Sequence, residues 1–151
     1  MHKYEDAIDI FEKAIDAFPN HKKQEKAEGY YNLGVCLFNT KCYEKAAEAE
    51  KNALELLPSS RFPIQRARCY LMLGNISVIM EDNSEALGYY QKSLAKLKTT
   101  EKKYPDEEFY VLLACGKILL RNKPAKAREY LLKAKQACQE YDLSQSYKAK
   151  I

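Results

Sequence analysis

Residues 30–46 read YYNLGVCLFNTKCYEKA, and residues 70–86 read YLMLGNISVIMEDNSEA. A weaker version of the same phrase, VLLACGKILLRNKPAKA, occupies residues 111–127. Each stretch ends on an alanine, and an earlier alanine lies in a similar context near the start of the chain. These alanines, Ala7, Ala46, Ala86 and Ala127, are separated by 39, 40 and 41 residues. A period between about 20 and 50 residues is typical of a solenoid built from repeated units.

Each repeat is predicted to be a pair of antiparallel helices. Residues at i+4 and i+7 from each alanine, such as Phe11 and Ala14 after Ala7, share one helix face and are mostly apolar. A second apolar segment lies twelve residues before each of the last three alanines. The connections at 39–42, 81–83 and 122–124 are short enough to force antiparallel packing. Small residues are expected where the two helices approach closely, and these are Gly34, Gly74 and Cys115.

The pattern resembles the tetratricopeptide repeat, whose signature is W-x₂-L-G-x₂-Y, then A-x₃-F, then P. Residues 27–60 fit it best, with Tyr30 at the Trp position, Leu33-Gly34 at the Leu-Gly pair and Pro58 at the closing Pro. Residues 67–105 fit next, and residues 108–141 keep the spacing with Ala114-Cys115 in place of Leu-Gly. The resemblance implies an all-α fold, a right-handed superhelical solenoid of antiparallel helix pairs with about three and a half repeats.

The 151 residues are expected to form one domain. Residues 1–19 match only the second helix of a repeat, and residues 142–151 form a tail or a capping helix that carries Leu143, Tyr147 and Ile151. The period exceeds the usual 34 residues of the family, and the excess is expected in polar inserts at 20–26, 59–65 and 98–106. The lone first helix, with Ile8, Phe11 and Ile15, indicates either a fragment of a longer array or a homodimer through that uncapped helix.

One residue departs clearly from the signature. Glu50 stands where the family has an aromatic residue. Either Leu54 fills the space or the packing there is looser, and we expect Leu54 to fill it.

Composition and charge exclude several classes of protein. Hydrophobic residues make up 46% and charged residues 30%, an ordinary globular balance, and the net charge of +4 is too mild to indicate a nucleic-acid surface. No apolar run approaches the ~20 residues of a membrane-spanning helix, so no membrane is expected as a partner. The five cysteines are scattered without a CxxC pair, which predicts reduced thiols, no metal site and a cytoplasmic or nuclear location.

The residue types that catalysis needs are scarce. Histidine occurs only at His2 and His21, and the sequence has no Gly-rich phosphate loop and no HExxH motif. The many Asp and Glu residues lie on outward helix faces and near helix starts, where they compensate the helix dipole. We therefore expect no enzyme activity, no catalytic residue and no cofactor.

The family resemblance implies that the first helix of each pair lines a concave groove in which a partner binds. The expected partner is a protein segment, either an extended peptide or an amphipathic helix with apolar anchors, with Asn32 and Asn75 binding its backbone amides. Apolar character is expected to rise toward the C-terminal end of the groove. The candidate groove residues are Tyr31, Asn32, Val35, Phe38, Arg68, Leu71, Met72, Asn75, Val78, Phe109, Leu112 and Leu119.

Three other functions are weighed against this scaffold. A carboxylate clamp of the chaperone-adaptor type is disfavoured because Met72 stands where that clamp needs an Arg. A structural subunit could use the convex faces, Tyr89 and Tyr141 included, or self-association. Helical-repeat RNA binding is disfavoured, although the loops are rich in lysine, because the groove lacks interleaved Arg and stacking aromatic residues.

Overall fold

A computed structural model describes residues 2–140 of the chain, and this range contains seven α-helices and no β-strand. The all-α fold class is therefore confirmed. Within the described range, no helix combines the length and the apolar character that crossing a membrane requires. The helices are α1 (His2–Ala17), α2 (Lys23–Asn39), α3 (Tyr43–Leu56), α4 (Pro63–Ile79), α5 (Asn83–Leu97), α6 (Pro105–Leu119) and α7 (Pro124–Glu140).

Three helix pairs, α2–α3, α4–α5 and α6–α7, are the repeating units, and each pair closes around a glycine. A Cβ atom built on Gly34 would lie 2.5 Å from Oε1 of Glu50, and one built on Gly74 would lie 2.6 Å from Cδ1 of Tyr90. In the third pair, a Cβ atom on Gly116 would lie 2.6 Å from Cδ2 of Leu131. A side chain at these positions would push the paired helices apart.

The third pair corrects the predicted register by one residue. The close approach between α6 and α7 is at Gly116, whereas the sequence pattern placed it at Cys115. The prediction assumed twelve residues between the contact residue and the buried alanine, as from Gly34 to Ala46, but Gly116 precedes Ala127 by eleven. The turns of the three pairs differ as well. The first two pairs turn through a residue with positive φ, Lys41 at 64° and Glu81 at 63°, and the described α6–α7 connection has none.

The extra residues of the long period form helix as well as loop. The first helices begin at Lys23, Pro63 and Pro105, which are all inside the segments predicted as polar inserts. Proline is well suited to the first turn of a helix, because its fixed φ is helical and the missing N–H has no intrahelical acceptor there. Each first helix is therefore about one turn longer at its start than the family pattern indicates.

Contacts between successive pairs build a continuous solenoid. Nη1 of Arg66 on α4 donates to the carbonyl of Leu54 at 2.8 Å and also to that of Leu57, so a cation satisfies the last carbonyls of α3. Within the α4–α5 pair itself, the buried hydroxyl of Ser93 on α5 donates to the carbonyl of Ala67 on α4 at 2.7 Å. Buried side chains of α5, α6 and α7 form the largest hydrophobic cluster, which includes Ala86, Tyr90, Leu94, Phe109, Val111, Leu112, Leu113, Cys115, Ala134 and Cys138.

Helix α1 packs on α2 and occupies the place of a second helix of a repeat. Ile15 is buried and approaches Gly29, where an added Cβ atom would lie 2.9 Å from Cγ1 of Ile15. Ile8 and Phe11 are half-buried in the same cluster. The predicted tail or capping helix with Leu143, Tyr147 and Ile151, and the convex residue Tyr141, lie outside the described residues.

The close approach at Gly74 can be tested by stability measurements. Gly74→Ala is expected to lower the free energy of unfolding by ~1–3 kcal/mol, because the Tyr90 ring is buried and its hydroxyl is held by Asn75 at 2.8 Å. Gly88→Ala is the matched control, since nothing lies within 4 Å of its added Cβ atom, and it should gain ~0.5–1 kcal/mol from helix propensity. Urea denaturation measures both values. An equal change in the free energy of unfolding for Gly74→Ala and Gly88→Ala would contradict the close approach of Tyr90 to Gly74.

Candidate partner-binding groove

The family resemblance implies that the first helices line a concave face, and in the structure α2 and α4 border a cavity of about 280 Å³. Three predicted groove residues, Tyr31, Asn32 and Arg68, line this cavity together. Burial raises the pKa of the Tyr31 phenol, so the hydroxyl stays protonated and can donate a hydrogen bond. The amides, the phenol and the guanidinium suit a peptide backbone or a polar side chain. The remaining lining residues are Gln24, Ala27, Glu28, Leu57, Gln65 and Cys69.

An ion pair joins the N-terminal ends of α4 and α6. Nη2 of Arg68 donates to Oε1 of Glu107 at 2.7 Å, and Nε donates to the same oxygen at 3.1 Å. The hydrogen bonds to Glu107 raise the pKa of the Arg68 guanidinium. Arg68 is therefore already partnered, and its charge is only partly available to a ligand in the α2–α4 cavity.

The middle of the groove is half-buried. Val35, Phe38, Leu71 and Met72 are all of intermediate exposure, and the Phe38 ring packs edge-on against Tyr43 at a centroid distance of 5.6 Å. These side chains thus belong to the hydrophobic core along one edge and border the groove along the other.

Asn75 lies in the same part of the groove and is held by its own chain. Its Oδ1 accepts the Tyr90 hydroxyl at 2.8 Å, and burial raises the pKa of that phenol to about 12. The amide oxygen is therefore occupied by an internal hydrogen bond. The side-chain NH₂ group of Asn75 is the part that can donate to a partner.

The α6 part of the groove differs from the prediction. Phe109, Leu112 and Leu119 were expected on the concave face, but they are 0%, 5% and 5% exposed and lie in the core. Their burial follows from the register of α6, which is shifted by one residue because the contact lies at Gly116. The shift turns a different set of α6 side chains toward the groove. Phe109 and Leu119 match the buried Ala67 and Ser77 of α4, at equal distances from the contact glycine. By the same correspondence, the residues that match the α4 groove positions are Tyr110, Leu113, Ala114 and Lys117 on α6 and Leu120 and Arg121 directly after it, and of these Leu113 is itself buried.

Sequence reasoning therefore missed Tyr110, Lys117 and Arg121. The available signal was Gly116, a glycine like Gly34 and Gly74 that lies one residue after Cys115, the position to which the repeat pattern assigned the close contact. With Lys117 and Arg121 on this face, the C-terminal end of the groove is both cationic and apolar. The expected steady rise in apolar character toward this end is not observed.

Exposed apolar side chains concentrate where α4 and α6 end. Val78, Ile79, Met80 and Leu120 are 38%, 43%, 53% and 57% exposed. Val78 and Leu120 each lie four residues after the contact glycine of their pair, Val78 inside α4 and Leu120 directly after the end of α6. Val78, Ile79 and Met80 are consecutive in the chain, and an exposed apolar patch is a common mark of an interaction site.

Glu50 fills the space for which Leu54 was expected, so that prediction is wrong. Its side chain is fully buried against Gly34, in the same way that Tyr90 is buried against Gly74 in the next pair. Neither carboxyl oxygen has a hydrogen-bond partner of good geometry among the described residues. Burial raises the pKa of this carboxyl to about 8, and the neighbouring Cys69 thiol lowers it by a smaller amount. The carboxyl is therefore mostly neutral at pH 7.

The described cysteines are free thiols, and of these Cys42 alone is exposed. Burial raises the pKa of Cys36, Cys69 and Cys115, the last to about 12, so these thiols remain protonated at neutral pH. Among the described residues, no group of three or more His, Cys, Asp and Glu side chains has the geometry to hold a metal ion.

Comparison with known proteins agrees with the architecture. The tetratricopeptide repeat family model matches residues 1–61. Two crystal structures of MamA share the fold. One has a TM-score of 0.67 at 20% identity over 93% of this chain and 69% of that chain, and the other has 0.63 at 18% identity over 93% and 92%. No curated protein matches the sequence. The helical solenoid predicted from the repeats is thereby confirmed, and the family model agrees with the resemblance over residues 1–61.

The buried carboxyl predicts a specific dependence of stability on pH. The folded state binds a proton at Glu50 up to about pH 8, whereas the unfolded chain releases it near the ordinary value of 4.5. The contribution of Glu50 to stability should therefore fall as the pH rises from about 4.5 to about 8, and then stay level. Urea denaturation at pH 5, 7 and 9 measures this, with Glu50→Gln as the isosteric control that cannot titrate.

Glu50→Leu is expected to raise the free energy of unfolding at pH 8 by ~1–3 kcal/mol, because it removes a buried polar group without a partner. If the wild type and Glu50→Gln show the same slope of unfolding free energy against pH, the conclusion that the buried Glu50 carboxyl is protonated is wrong.

Proposed function

We propose that this tetratricopeptide repeat solenoid is a protein–protein interaction scaffold whose concave face, formed by α2, α4 and α6, binds a segment of a partner protein. The family match over residues 1–61 and the solenoid fold support a scaffold in general. Binding on this face is reversible and involves no covalent step. The partner is an extended peptide or an amphipathic helix with apolar anchors.

One observation carries the proposal, namely that polar and apolar recognition groups are exposed along the same face. At the α2–α4 end, Tyr31 and Asn32 border the cavity of about 280 Å³. Farther toward the C-terminal ends of these helices, Val78 on α4 and Leu120 directly after α6 are exposed. Amide groups fix a backbone by hydrogen bonds, and apolar side chains supply contact area that is favourable to remove from water.

The convex alternative has less support at its named residue. Tyr89 is half-buried and stacks on Tyr70 at a centroid distance of 6.4 Å, with Nζ of Lys92 lying 5.3 Å from the Tyr89 ring centre. Its hydroxyl also donates to Glu85 at 3.4 Å. The contacts of Tyr89 are thus supplied by its own chain, and it leaves little surface for a permanent partner.

The concave face can be tested by a pair of matched double variants. Asn32→Ala with Val78→Asp removes one amide and one apolar contact from the groove, and both residues are exposed enough that the fold should survive. Asn52→Ala with Leu132→Asp makes the same two changes on the second helices α3 and α7, away from the groove. Nuclease-treated lysate pull-downs with quantitative mass spectrometry compare both with the wild type.

Proteins bound by the wild type and by the α3/α7 control should be reduced at least about tenfold on the groove variant, which corresponds to ~1.4 kcal/mol of binding free energy. Circular dichroism checks that helical content is unchanged. Equal retention by both double variants would move the function away from the concave face.

A further inference from the structure

Charge is distributed unevenly along the solenoid. Between residues 110 and 139 the chain has seven cationic residues and one acidic residue, Glu129, whereas its whole net charge is only +4. Helix α1 is acidic by comparison, with five Asp and Glu residues and two lysines. The cations of the C-terminal part are Lys117, Arg121, Lys123, Lys126, Arg128, Lys133 and Lys135.

Part of this charge lies at the C-terminal end of α6. Lys117 lies in the last turn of α6, Leu120 and Arg121 follow directly after its last residue, Leu119, and all three are exposed. We call these three residues the cationic stripe. Neither Lys117 nor Arg121 forms an ion pair in the part of the chain that the structure describes.

The two ends of the α4–α6 groove are therefore chemically different. At the N-terminal end, the cation Arg68 is neutralised by Glu107 at 2.7 Å. At the C-terminal end, Val78 and Ile79 of α4 are exposed apolar groups, and the cationic stripe of α6 supplies unpaired positive charge. Two cations beside exposed aliphatic side chains complement a ligand that has carboxylates next to its own apolar side chains.

We propose that the C-terminal end of the groove binds an acidic amphipathic segment of a partner protein, whose carboxylates pair with Lys117 and Arg121 and whose apolar side chains pack on Val78, Ile79 and Leu120. This inference rests on the proposed function and specifies the partner's chemistry. The exposed groups between the cations are aliphatic, which favours protein over RNA, because single-stranded RNA binds by stacking its bases on aromatic side chains.

The test uses a displayed library of random 16-residue peptides that is selected on the wild-type 151-residue chain, and the affinities of the recovered peptides are then measured with synthetic copies. Enriched peptides are expected to combine Asp or Glu with Leu, Ile or Phe. Lys117→Glu with Arg121→Glu should weaken their binding at least tenfold. Lys45→Glu with Lys51→Glu makes the same change in net charge on the exposed face of α3 and should leave binding unchanged.

A charge-swapped peptide, with its acids replaced by lysines, should bind the Lys117→Glu, Arg121→Glu variant better than it binds the wild type. Higher salt should weaken the wild-type complex, since both partners of each ion pair are exposed. Both readouts report on pairing between specific charges. A variant that had merely lost its fold would not bind the charge-swapped peptide better, and the salt dependence is measured on the wild type alone.

The other outcomes separate this inference from the proposed function. Neutral or basic peptides that depend on Asn32 and Val78 would overturn the acidic partner and leave the groove function standing. The same holds for acidic peptides that bind equally well after the charge reversal. Absence of any peptide that distinguishes the wild type from the Asn32→Ala, Val78→Asp variant would overturn both. Binding of a 20-nucleotide RNA through Lys117 and Arg121, without peptide binding, would replace the protein partner by RNA.

Discussion

The close approach of two helices at a glycine is the constraint on which the rest of this solenoid depends. Gly34, Gly74 and Gly116 each lie against one large side chain of the second helix, which is Glu50, Tyr90 or Leu131. Because protein interiors are close-packed, fixing this contact also fixes which faces of both helices are buried. The faces left over form the groove, so the chemistry of the groove follows from the position of the glycine.

Most of the architecture could be predicted from the sequence, because the repeated alanines report on a physical requirement for small residues between packed helices. The third pair shows where such reasoning fails. Its glycine and alanine are one residue closer than in the first two pairs, so a constant spacing assigned the wrong α6 face to the groove. A shift of one residue turns a helix by about 100°, which is enough to exchange core and surface. Phe109 and Leu112 were mistaken for groove residues for this reason.

Glu50 shows a different limit. The sequence identified it as a departure from the repeat, but the three-dimensional packing was needed to show that the carboxyl itself enters the space beside Gly34. A buried carboxyl without a hydrogen-bond partner lowers stability, and it avoids the larger penalty of a buried charge by keeping its proton. At its contact glycine the first pair therefore has an unpartnered carboxyl, whereas Tyr90 gives the second pair both an aromatic contact and a hydrogen bond.

The register of α6 decides which side chains a partner meets, so its direct measurement tests the account best. Hydroxyl-radical footprinting with mass spectrometry compares neighbouring side chains of similar intrinsic reactivity on the same helix. Tyr110 and Leu120 should be modified readily, and Phe109, Leu112 and Leu119 should be protected several-fold, in line with their burial. Modification of Phe109 and Leu112 at the rate of Tyr110 and Leu120 would contradict the packing at Gly116 and the groove built on it.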